Sequence, residues 1–399
     1  MATEGPWPGA SGLGGAGPVP DPANLARIRS EVAAALDLFL ARQRRVLAAI
    51  GEDLLPCVDA TAELLAGGKR LRPAFCYWGW RAAGGPDSPE IYTAAASLEL
   101  LQASALVHDD VMDASDIRRG RPAVHRQFAA RLAAGARTGA STTPRPDLTR
   151  AGASPGAADQ FGTGAAILIG DLLLAWTDEL FRASGFPADV LLRAQSSLDA
   201  MRTEVAAGQY LDILSQASRS TSVAAALRVI TYKTAKYTIE RPLQLGAALA
   251  AAGDTGGSAG NDAAAVSATC TDYGIPLGIA FQLRDDILGV FGDPARTGKP
   301  VSGDISEGKR TVLVALARER ANASQARVLD RHLGDRGLTL DAAAQVKTVL
   351  TETGAVQECE SLIAASVKEA VSALDGAPIS AAARTALAAL AITATDRTD

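Results

Sequence analysis

The stretch PEIYTAAASLELLQASALVHDDVMD, from Pro89 to Asp113, determines the fold class of this chain. Its apolar residues recur at the three- and four-residue spacing of an α-helix and continue up to the aspartates at its end. We predict one long helix here. The whole chain has 399 residues, of which 48% are hydrophobic and only 5% aromatic, and alanine and leucine dominate. This composition favours an all-α fold with a large core.

Further helical patterns cover most of the remaining chain, and no convincing set of alternating β-strands is visible. Helices are predicted over 25–50, 57–83 with a break at Gly67–Gly68, 165–185, 190–216, 223–252, 268–292 and the alanine-rich tail from about Leu340. The segments 134–158 and 252–263 are rich in small and turn-forming residues, so we predict loops there. We expect residues 1–23, rich in Gly and Pro, to be disordered and residues 24–399 to form a single domain.

Charge, cysteine usage and hydropathy disfavour several protein classes. The net charge of −5 argues against a general nucleic-acid binder, which usually has a basic surface. The four cysteines are far apart and have neither zinc-site nor disulfide-framework spacing. No apolar run approaches the roughly 20 residues needed to span a bilayer, and the N-terminal residues lack the regions of a secretory signal. We therefore expect no nucleic-acid partner, no transmembrane segment and a cytoplasmic location.

Three aspartates end the predicted long helix: Asp109, Asp110 and Asp113. Asp109 and Asp113 are four residues apart, so on a helix they share one face with Cβ atoms about 5–6 Å apart. Two like charges at that distance are mutually unfavourable, and a hard cation with oxygen ligands would offset them. Asp110 points about a quarter-turn away and is the weaker ligand candidate. A solvated helix face is the alternative, but the flanking apolar residues favour burial.

A second acidic pair, Asp285 and Asp286, follows another apolar helical run in FQLRDDILGVFGD. Alone, such a pair is usually only a helix end. Beside the first motif it allows two acidic segments to face each other across a cavity, where Mg²⁺ would bridge substrate phosphates. Lys and Arg also lie next to Gly, Pro or helix ends in GGKRLRP, DIRRGRP, YKTAKYT and TGKPVSGDISEGKRT. Together these groups indicate a diphosphate site, and no Walker-type loop or nucleophile–histidine pairing is found.

These motifs, in this order, resemble those of the trans-polyprenyl (isoprenyl) diphosphate synthases, and look most like the bacterial geranylgeranyl diphosphate synthases. The matching segments are GGKRLRP, LVHDDVMD followed by RRGRP, the GD of LIGDLLL, YKTAKYT, and FQLRDDILGVFGD with TGKPVSGDISEGKRT. The resemblance covers the chain from about Asn24 onward. It implies an all-α isoprenoid synthase bundle around a central apolar cavity, usually a homodimer. The implied reaction is head-to-tail condensation of an allylic diphosphate with isopentenyl diphosphate, with several Mg²⁺ ions per active site.

The resemblance also implies roles for individual residues. It places Mg²⁺ on Asp109, Asp113 and Asp285, with Asp110 and Asp286 as supporting acids. The positions that match allylic-diphosphate ligands are Arg118, Lys233, Thr234, Gln282 and Lys299. Those that match isopentenyl-diphosphate ligands are Lys69, Arg72, Gln102 and Arg119. In the implied mechanism, cations stabilise the departing pyrophosphate, the allylic C–O bond ionises, and the double bond of isopentenyl diphosphate attacks the allylic cation.

The sequence departs from the family pattern in three places. The second motif is usually DDxxD, but its last position here is Gly289, and Asp293 lies further on. We expect weakened rather than lost metal binding, because Asp285 and Asp286 remain. Gln102 stands where many members have histidine, and its amide can still donate a hydrogen bond. The 134–158 loop is longer than usual.

Helix geometry allows a prediction of product length. Ala105 lies one turn below Asp109, Ser104 lies just beyond it, and both are small. A chain growing along this helix meets no bulky stop until Leu98, about 16 Å below at about 1.5 Å per residue. That depth suits a C20 product, geranylgeranyl diphosphate, better than C15; a length of C15, or of C25 and above, is the alternative. Leu98 could instead pack in the core while a neighbouring helix sets the floor.

Two rival functions share part of this pattern with the synthase. A terpene cyclase also uses an aspartate-rich motif on an all-α fold, but its usual N-D-x-x-S-x-x-x-E motif does not follow here. A non-catalytic subunit of a heteromeric synthase should have lost Asp, Lys or Arg residues, and only Gly289 supports that alternative. The Lys/Arg set for a second diphosphate favours the synthase.

Overall fold

The computed structural model describes residues 22–138, 154–218, 222–250, 263–292 and 303–395. The α-helices are α1 (Pro22–Ile50), α2 (Leu55–Leu65), α3 (Leu71–Ala82), α4 (Pro89–Met112), α5 (Val124–Thr138), α6 (Pro155–Arg182), α7 (Ala188–Ser218), α8 (Val223–Ile230), α9 (Arg241–Ala250), α10 (Ala263–Phe291), α11 (Gly303–Glu307), α12 (Val312–Arg320), α13 (Ala323–His332), α14 (Leu340–Glu352), α15 (Ala355–Ser372) and α16 (Ala381–Thr395). A 3₁₀ turn, Glu52–Leu54, precedes α2, and a π-helical segment, Thr231–Glu240, joins α8 to α9. The predicted all-α class is confirmed.

Helix α4 is the central element that carries the first acidic motif. Ser88 precedes it in an extended conformation and Pro89 takes a first-turn position, where a missing N–H leaves no hydrogen bond unmade. At its other end the Asp113 N–H donates to the Asp109 carbonyl at 2.8 Å, and Ala114 then turns the chain with a φ of 50°. α4 packs against α1, α3 and α6, so most of its side chains are buried. The long helix predicted over 89–113 is confirmed.

Two apolar cores lie side by side and share α10. The larger core draws on α1 to α7, α9 and α16, and includes Tyr273 and Leu277 from the first part of α10. The smaller core draws on α8 and on α11 to α15, and includes Leu283 and Ile287 from the second part of α10. Helix α10 therefore contributes to both cores, as does α15 through Ala370 and Ile363, and the second acidic motif lies on the part of α10 that faces the smaller core.

The π-helical segment differs from the regular helix predicted over 223–252. Two glycines allow neighbouring helices to approach its backbone closely: a Cβ atom at Gly208 of α7 would lie 2.4 Å from the Lys233 nitrogen, and one at Gly278 of α10 would lie 2.3 Å from the Ala235 Cα. Helices α7 and α10 thus both pack closely against the backbone of this segment. π-Helical turns are frequent at functional sites, and this one carries Lys233 and Thr234.

Parts of the predicted loops are helical. The 134–158 loop prediction was wrong at both ends, because α5 continues to Thr138 and α6 begins at Pro155. Ser154 caps α6 by accepting a hydrogen bond from the Ala157 N–H. A serine at this position is a helix-start signal, and the loop prediction did not take it into account. Residues 139–153, 251–262 and almost all of the predicted N-terminal tail lie outside the described residues. A two-residue antiparallel ladder, Ile117–Arg118 with Arg121–Pro122, also forms directly after the acidic motif. Within the described residues, no helix is long and apolar enough to cross a membrane.

Candidate active site

The last turn of α4 concentrates negative charge at the negative end of a helix dipole. Asp109, Asp110 and Asp113 all lie there, and Asp110 and Asp113 are buried, with 2% and 8% of their surfaces exposed. Both the dipole and burial disfavour carboxylates at this position. Cations from other parts of the chain must therefore stabilise this turn. Arg118, Lys233 and Lys309 lie beside its carboxylates, and Arg336 donates to the Asp113 carbonyl at 3.1 Å.

Asp109 is held in its charged form by a group of long-range contacts. Its Oδ1 accepts a hydrogen bond from Gln209 Nε2 at 2.9 Å and lies 3.4 Å from Lys233 Nζ, while its Oδ2 lies 3.6 Å from an Arg118 nitrogen. Burial opposes the charge, but Lys233, Lys309 and Arg118 together hold the pKa of Asp109 below its usual value. A carboxylate that is ionised before any metal arrives is suited to binding a hard cation.

Asp113 has fewer compensating contacts. Lys309 Nζ lies 3.9 Å from its Oδ2. Burial, together with the neighbouring charge of Asp109, raises the pKa of Asp113 to about 6. The pair therefore shows the unfavourable like-charge interaction that the four-residue spacing predicts.

Asp110 makes a different kind of contact. Its Oδ1 accepts a hydrogen bond from Arg118 Nε at 2.8 Å and a second, shorter one from the same guanidinium group. Asp110 thus orients Arg118. Arg118 in turn lies close to both Asp109 and Asp110, so the arginine and the acidic motif form one unit.

Lys233 links the first motif to helix α7. Its ammonium group lies 2.6 Å from Asp212 Oδ2 as well as 3.4 Å from Asp109. Although burial opposes the charge, Asp109 and Asp212 raise the pKa of Lys233 above its usual value. Asp212 and Gln209 lie three residues apart on α7, and neither was predicted as a site residue from the sequence. The sequence shows them only as two polar side chains on one face of a helix, a pattern that many surface helices share.

The second acidic motif on α10 is connected to the π-helical segment by a chain of hydrogen bonds. Thr234 Oγ1 donates to Gln282 Oε1 at 2.7 Å, and Gln282 Nε2 donates to Asp286 Oδ1 at 2.8 Å. Asp286 is buried, and burial raises its pKa to about 7, with Asp304 and Asp285 adding to the shift and Gln282 opposing it. The half-buried Asp285 precedes it on the same helix.

Lys309 is the neighbour that both acidic motifs share. Its ammonium group lies 2.8 Å from Glu307 and 3.5 Å from Asp304, besides its contact with Asp113. Its charge lowers the pKa of Asp109 and opposes the raised pKa values of Asp113 and Asp286. A cavity of about 420 Å³ opens here; it is lined by residues that include Asp113, Arg118, Asp304, Glu307, Lys309 and Arg336.

A cluster of three guanidinium groups, those of Arg70, Arg72 and Arg119, lies near Arg118. Arg70 forms an ion pair with Glu99 in which each side chain is only 7% exposed. Arg72 donates to Thr238 Oγ1 at 2.7 Å and stacks over the Tyr237 ring, with its guanidinium carbon 4.3 Å from the ring centroid. Two buried polar atoms here lack a protein partner: Arg72 Nε and Gln102 Oε1. Such atoms usually mark a missing ligand or water.

Arg119 completes this cluster. Its Nη1 donates to the Leu64 carbonyl at 2.8 Å, and its guanidinium group lies against Gly68, where a Cβ atom would be 3.4 Å away. Burial and the charges of Arg70, Arg118 and Arg72, opposed by Glu99, lower the pKa of Arg119. Arg70 and Arg119 both have left-handed φ values, 52° and 53°. Non-glycine residues in this strained region cluster at functional sites.

The remaining predicted site residues make no contact described above with the acidic motifs. Lys69 is exposed beside Gly68. Ser104 is buried and donates to the Gly170 carbonyl of α6 at 2.8 Å, and Leu98 is fully buried in the larger core. Ala105 is partly exposed. Lys299 and Asp293 lie outside the described residues.

The donor chemistry of the site fits magnesium. Within the described ranges, no group of three or more His, Cys, Asp or Glu side chains is arranged to hold a metal ion by itself. Mg²⁺ does not require such a cage, because it is usually held by one or two carboxylates plus substrate phosphates and water. Asp109 and Asp113 offer two carboxylates one turn apart, next to cations that can receive a phosphate group.

Comparison with known proteins gives a consistent result. The model of the polyprenyl synthetase family matches residues 57–138 and 147–352. The geranylfarnesyl diphosphate synthase of Aeropyrum pernix is 30% identical over 74% of this chain and 79% of its own length. The geranylgeranyl diphosphate synthase of Mycobacterium tuberculosis is 31% identical over 75% of this chain and 73% of its own. The crystal structure of geranylgeranyl pyrophosphate synthase from Corynebacterium glutamicum, complexed with isoprenyl diphosphate and magnesium, superposes with a TM-score of 0.82 at 38% identity, covering 94% of this chain and 99% of that one.

Proposed function

The chain belongs to the polyprenyl synthetase family, and from this premise we propose that it condenses isopentenyl diphosphate head-to-tail with an allylic diphosphate. The product is a trans-polyprenyl diphosphate, and pyrophosphate is released. One observation carries the proposal: Arg118 pairs with the acidic end of α4, whereas its neighbour Arg119 lies against Leu64 and Gly68 in the guanidinium cluster. This arrangement provides one site for a metal-bound diphosphate and a separate site for a second diphosphate. The test is incorporation of isopentenyl diphosphate into a longer diphosphate.

Asp109, Asp113 and Asp285 would hold Mg²⁺ in this proposal. When bound, Mg²⁺ supplies positive charge that offsets the charge developing on the leaving pyrophosphate. Asp110 and Asp286 support the site without direct contact, Asp110 by orienting Arg118 and Asp286 through its hydrogen bond from Gln282.

The allylic diphosphate would be bound by Arg118, Lys233, Thr234, Gln282 and Lys299. Four of these side chains lie in or beside the acidic site, and Lys233 and Arg118 are already fixed there by carboxylates. Their charges need little reorganisation when pyrophosphate departs, which is the condition for effective electrostatic stabilisation of the transition state. The closely packed π-helical segment holds Lys233 and Thr234 in place through the reaction.

Isopentenyl diphosphate would be bound by Lys69, Arg72, Gln102 and Arg119. Arg72 and Arg119 each have a guanidinium group suited to bidentate phosphate binding. Arg70 keeps its partner Glu99 and serves to shape the cluster. The unpaired Arg72 Nε can donate to a diphosphate oxygen, whereas the unpaired Gln102 Oε1 can only accept, for example from a bound water.

The proton released after C–C bond formation requires an acceptor. No side-chain base stands out in the sequence, so we assign this role to the released pyrophosphate, whose oxygens would remain next to Lys233 and Arg118. The apolar side chains of α4 would exclude water that could quench the allylic cation.

We propose a C20 product, geranylgeranyl diphosphate, because α4 presents small residues below Asp109. Replacing Ala105 with Phe should shift the main product from 20 to 15 carbons, since a ring one turn below the acidic motif blocks the growing chain. Product masses from reactions with isopentenyl diphosphate and a short allylic primer measure this. Ala105→Ser, which hardly changes the volume, is the control and should keep the C20 product. Unchanged products from the Phe variant would refute the depth argument.

We also propose a homodimer. Large apolar side chains are exposed along α6 and α7, among them Leu168 at 69%, Phe161 at 47% and Leu214 at 46%. Phe161 and Leu168 are seven residues apart and so share one face of α6. A second copy of the chain could cover this face and remove its apolar surface from water.

Light scattering coupled to size-exclusion chromatography tests the dimer. The wild-type protein should elute with the mass of two chains, and Leu168→Glu should shift it towards the mass of one because a buried unpaired charge is costly. Leu340→Glu, at a 74% exposed position on α14, is the control and should remain dimeric. A wild-type mass of one chain at micromolar concentration would contradict the proposal.

A further inference from the structure

An ion-pair network connects α7 to the far end of the π-helical segment. Glu204 of α7 binds two cations at once: its two oxygens accept from the Arg241 guanidinium group, each at 2.6 Å, and its Oε1 lies 3.2 Å from Lys236 Nζ. The three side chains are between 17% and 19% exposed. Burial opposes the charge of Glu204, but Arg241 and Lys236 hold its pKa below the usual value.

The network continues to α10 through Glu240, which is 2% exposed. Its Oε2 lies 3.2 Å from Lys236 Nζ, and its Oε1 accepts from Thr271 Oγ1 at 2.8 Å. Gln244 Nε2 donates to Thr271 Oγ1 at 3.0 Å, and Gln244 Oε1 accepts from Arg241 at 2.6 Å. The contacts therefore close into a ring of six side chains, in which two carboxylates balance two cations.

The two cations that Glu204 binds are joined by a backbone bond of the π-helical type. The Arg241 N–H donates to the Lys236 carbonyl, five residues earlier in the chain. In a regular α-helix, residues five apart are rotated by about 140° from each other, so they would lie on different sides of the helix. The widened turn brings both side chains to the side that faces α7. The ion pairs of Glu204 therefore depend on the widened turn and, in return, stabilise it.

We propose that Glu204 is a positioning residue, which keeps this segment in its π-helical form and thereby places Lys233 and Thr234 at the acidic motifs. Lys233 Nζ lies 3.4 Å from Asp109 and 2.6 Å from Asp212. Regular α-helical winding of the segment would rotate Lys233 away from these carboxylates. The inference rests on the proposed function, since it assigns a residue that acts on the same site without touching the substrate.

Replacing Glu204 with glutamine tests this role, because the amide keeps the shape of the side chain and loses its charge. The Mg²⁺-dependent binding of inorganic pyrophosphate, measured by isothermal titration calorimetry, should weaken by about 10- to 100-fold, comparable with the loss of a side chain that orients a metal ligand. Asp178→Asn is the matched control. Asp178 of α6 accepts from Arg202 at 3.1 Å, and Arg202 lies two residues before Glu204 on α7. This variant loses a similar ion pair and should leave the dissociation constant unchanged.

A second background separates positioning from a general loss of stability. The variant Lys233→Ala/Thr234→Val lacks the two side chains through which Glu204 acts. In this background Glu204→Gln should weaken pyrophosphate binding by less than about threefold, because residues that act through one another are not additive. An equal weakening in both backgrounds would overturn the proposal, as would an unchanged dissociation constant in Glu204→Gln alone.

Arg241→Lys keeps the test decisive if Glu204→Gln does not fold. Lysine retains the charge but lacks the planar fork that binds both oxygens of Glu204. Weaker pyrophosphate binding only where Lys233 and Thr234 are present supports the proposal, and equal weakening in both backgrounds overturns it. A wild-type protein that neither binds pyrophosphate with Mg²⁺ nor incorporates isopentenyl diphosphate would overturn the proposed function itself. A wild-type protein that does both, beside indifferent Glu204 and Arg241 variants, would overturn this inference alone.

Discussion

Replacing Asp109 with alanine is expected to lower the rate of product formation by about 1,000-fold or more, because the change removes a metal ligand at the point where charge develops. The fold should survive the substitution. Lys233 keeps Asp212 at 2.6 Å and Arg118 keeps Asp110 at 2.8 Å, so neither cation is left unpaired in the site. Steady-state incorporation of labelled isopentenyl diphosphate at saturating Mg²⁺ measures the effect.

The matched control for this variant is Asp189→Ala. Asp189 lies at the start of α7, where its carboxylate pairs with the exposed Arg193 at 2.8 Å. Its removal takes away one carboxylate without touching the site, so turnover should stay close to that of the wild type. Near-normal turnover in the Asp109 variant would refute the assignment of this residue to the metal.

Replacing Asp286 with asparagine should stabilise the metal-free protein increasingly as pH rises. In the folded chain burial raises the pKa of Asp286 from 3.8 to about 7, so the folded state retains a proton that the unfolded state has already lost. The contribution of this group to stability is fully present below the unfolded value and is lost as pH rises through about 7. A shift of about three pKa units corresponds to about 4 kcal/mol over the full range. Asparagine carries no charge and avoids this loss, while its amide oxygen can still accept from Gln282.

Denaturant unfolding in the presence of a chelator tests this prediction. The free energy of unfolding of the variant minus that of the wild type should grow by about 2–3 kcal/mol between pH 5 and pH 8.5. The same exchange at Asp59, an exposed carboxylate on α2 that pairs with Arg44, controls for the chemistry of the substitution. A difference between variant and wild type that is the same at both pH values would show that Asp286 is not protonated in the folded protein.

The sequence allowed the helical class and the position of α4 to be predicted, because these depend on local pattern. Periodic apolar residues identify α4 whatever its neighbours are. Four-residue spacing places Asp109 and Asp113 on one face without knowledge of the rest of the fold. Arg118 follows so closely after the helix that it could only lie near the same end.

Contacts between distant segments could not be predicted in this way. Asp212 and Gln209 reach the site because α7 packs against the π-helical segment, and the widening of that segment depends on close approach at Gly208 and Gly278. Glu99 was missed because nothing in the sequence shows that a buried acid on α4 pairs with Arg70. Glu204 meets both Lys236 and Arg241 only because the turn between them is widened, which spacing along the chain does not reveal.

The most direct test of the central claim is incubation of the wild-type protein with labelled isopentenyl diphosphate, each short allylic diphosphate in turn and Mg²⁺, with products identified by mass spectrometry. The account predicts that the label enters a linear prenyl diphosphate of 20 carbons, with release of pyrophosphate, and that no product forms without Mg²⁺. Conversion of a single prenyl diphosphate to a cyclic hydrocarbon without isopentenyl diphosphate, or no incorporation of label with any primer, would contradict it.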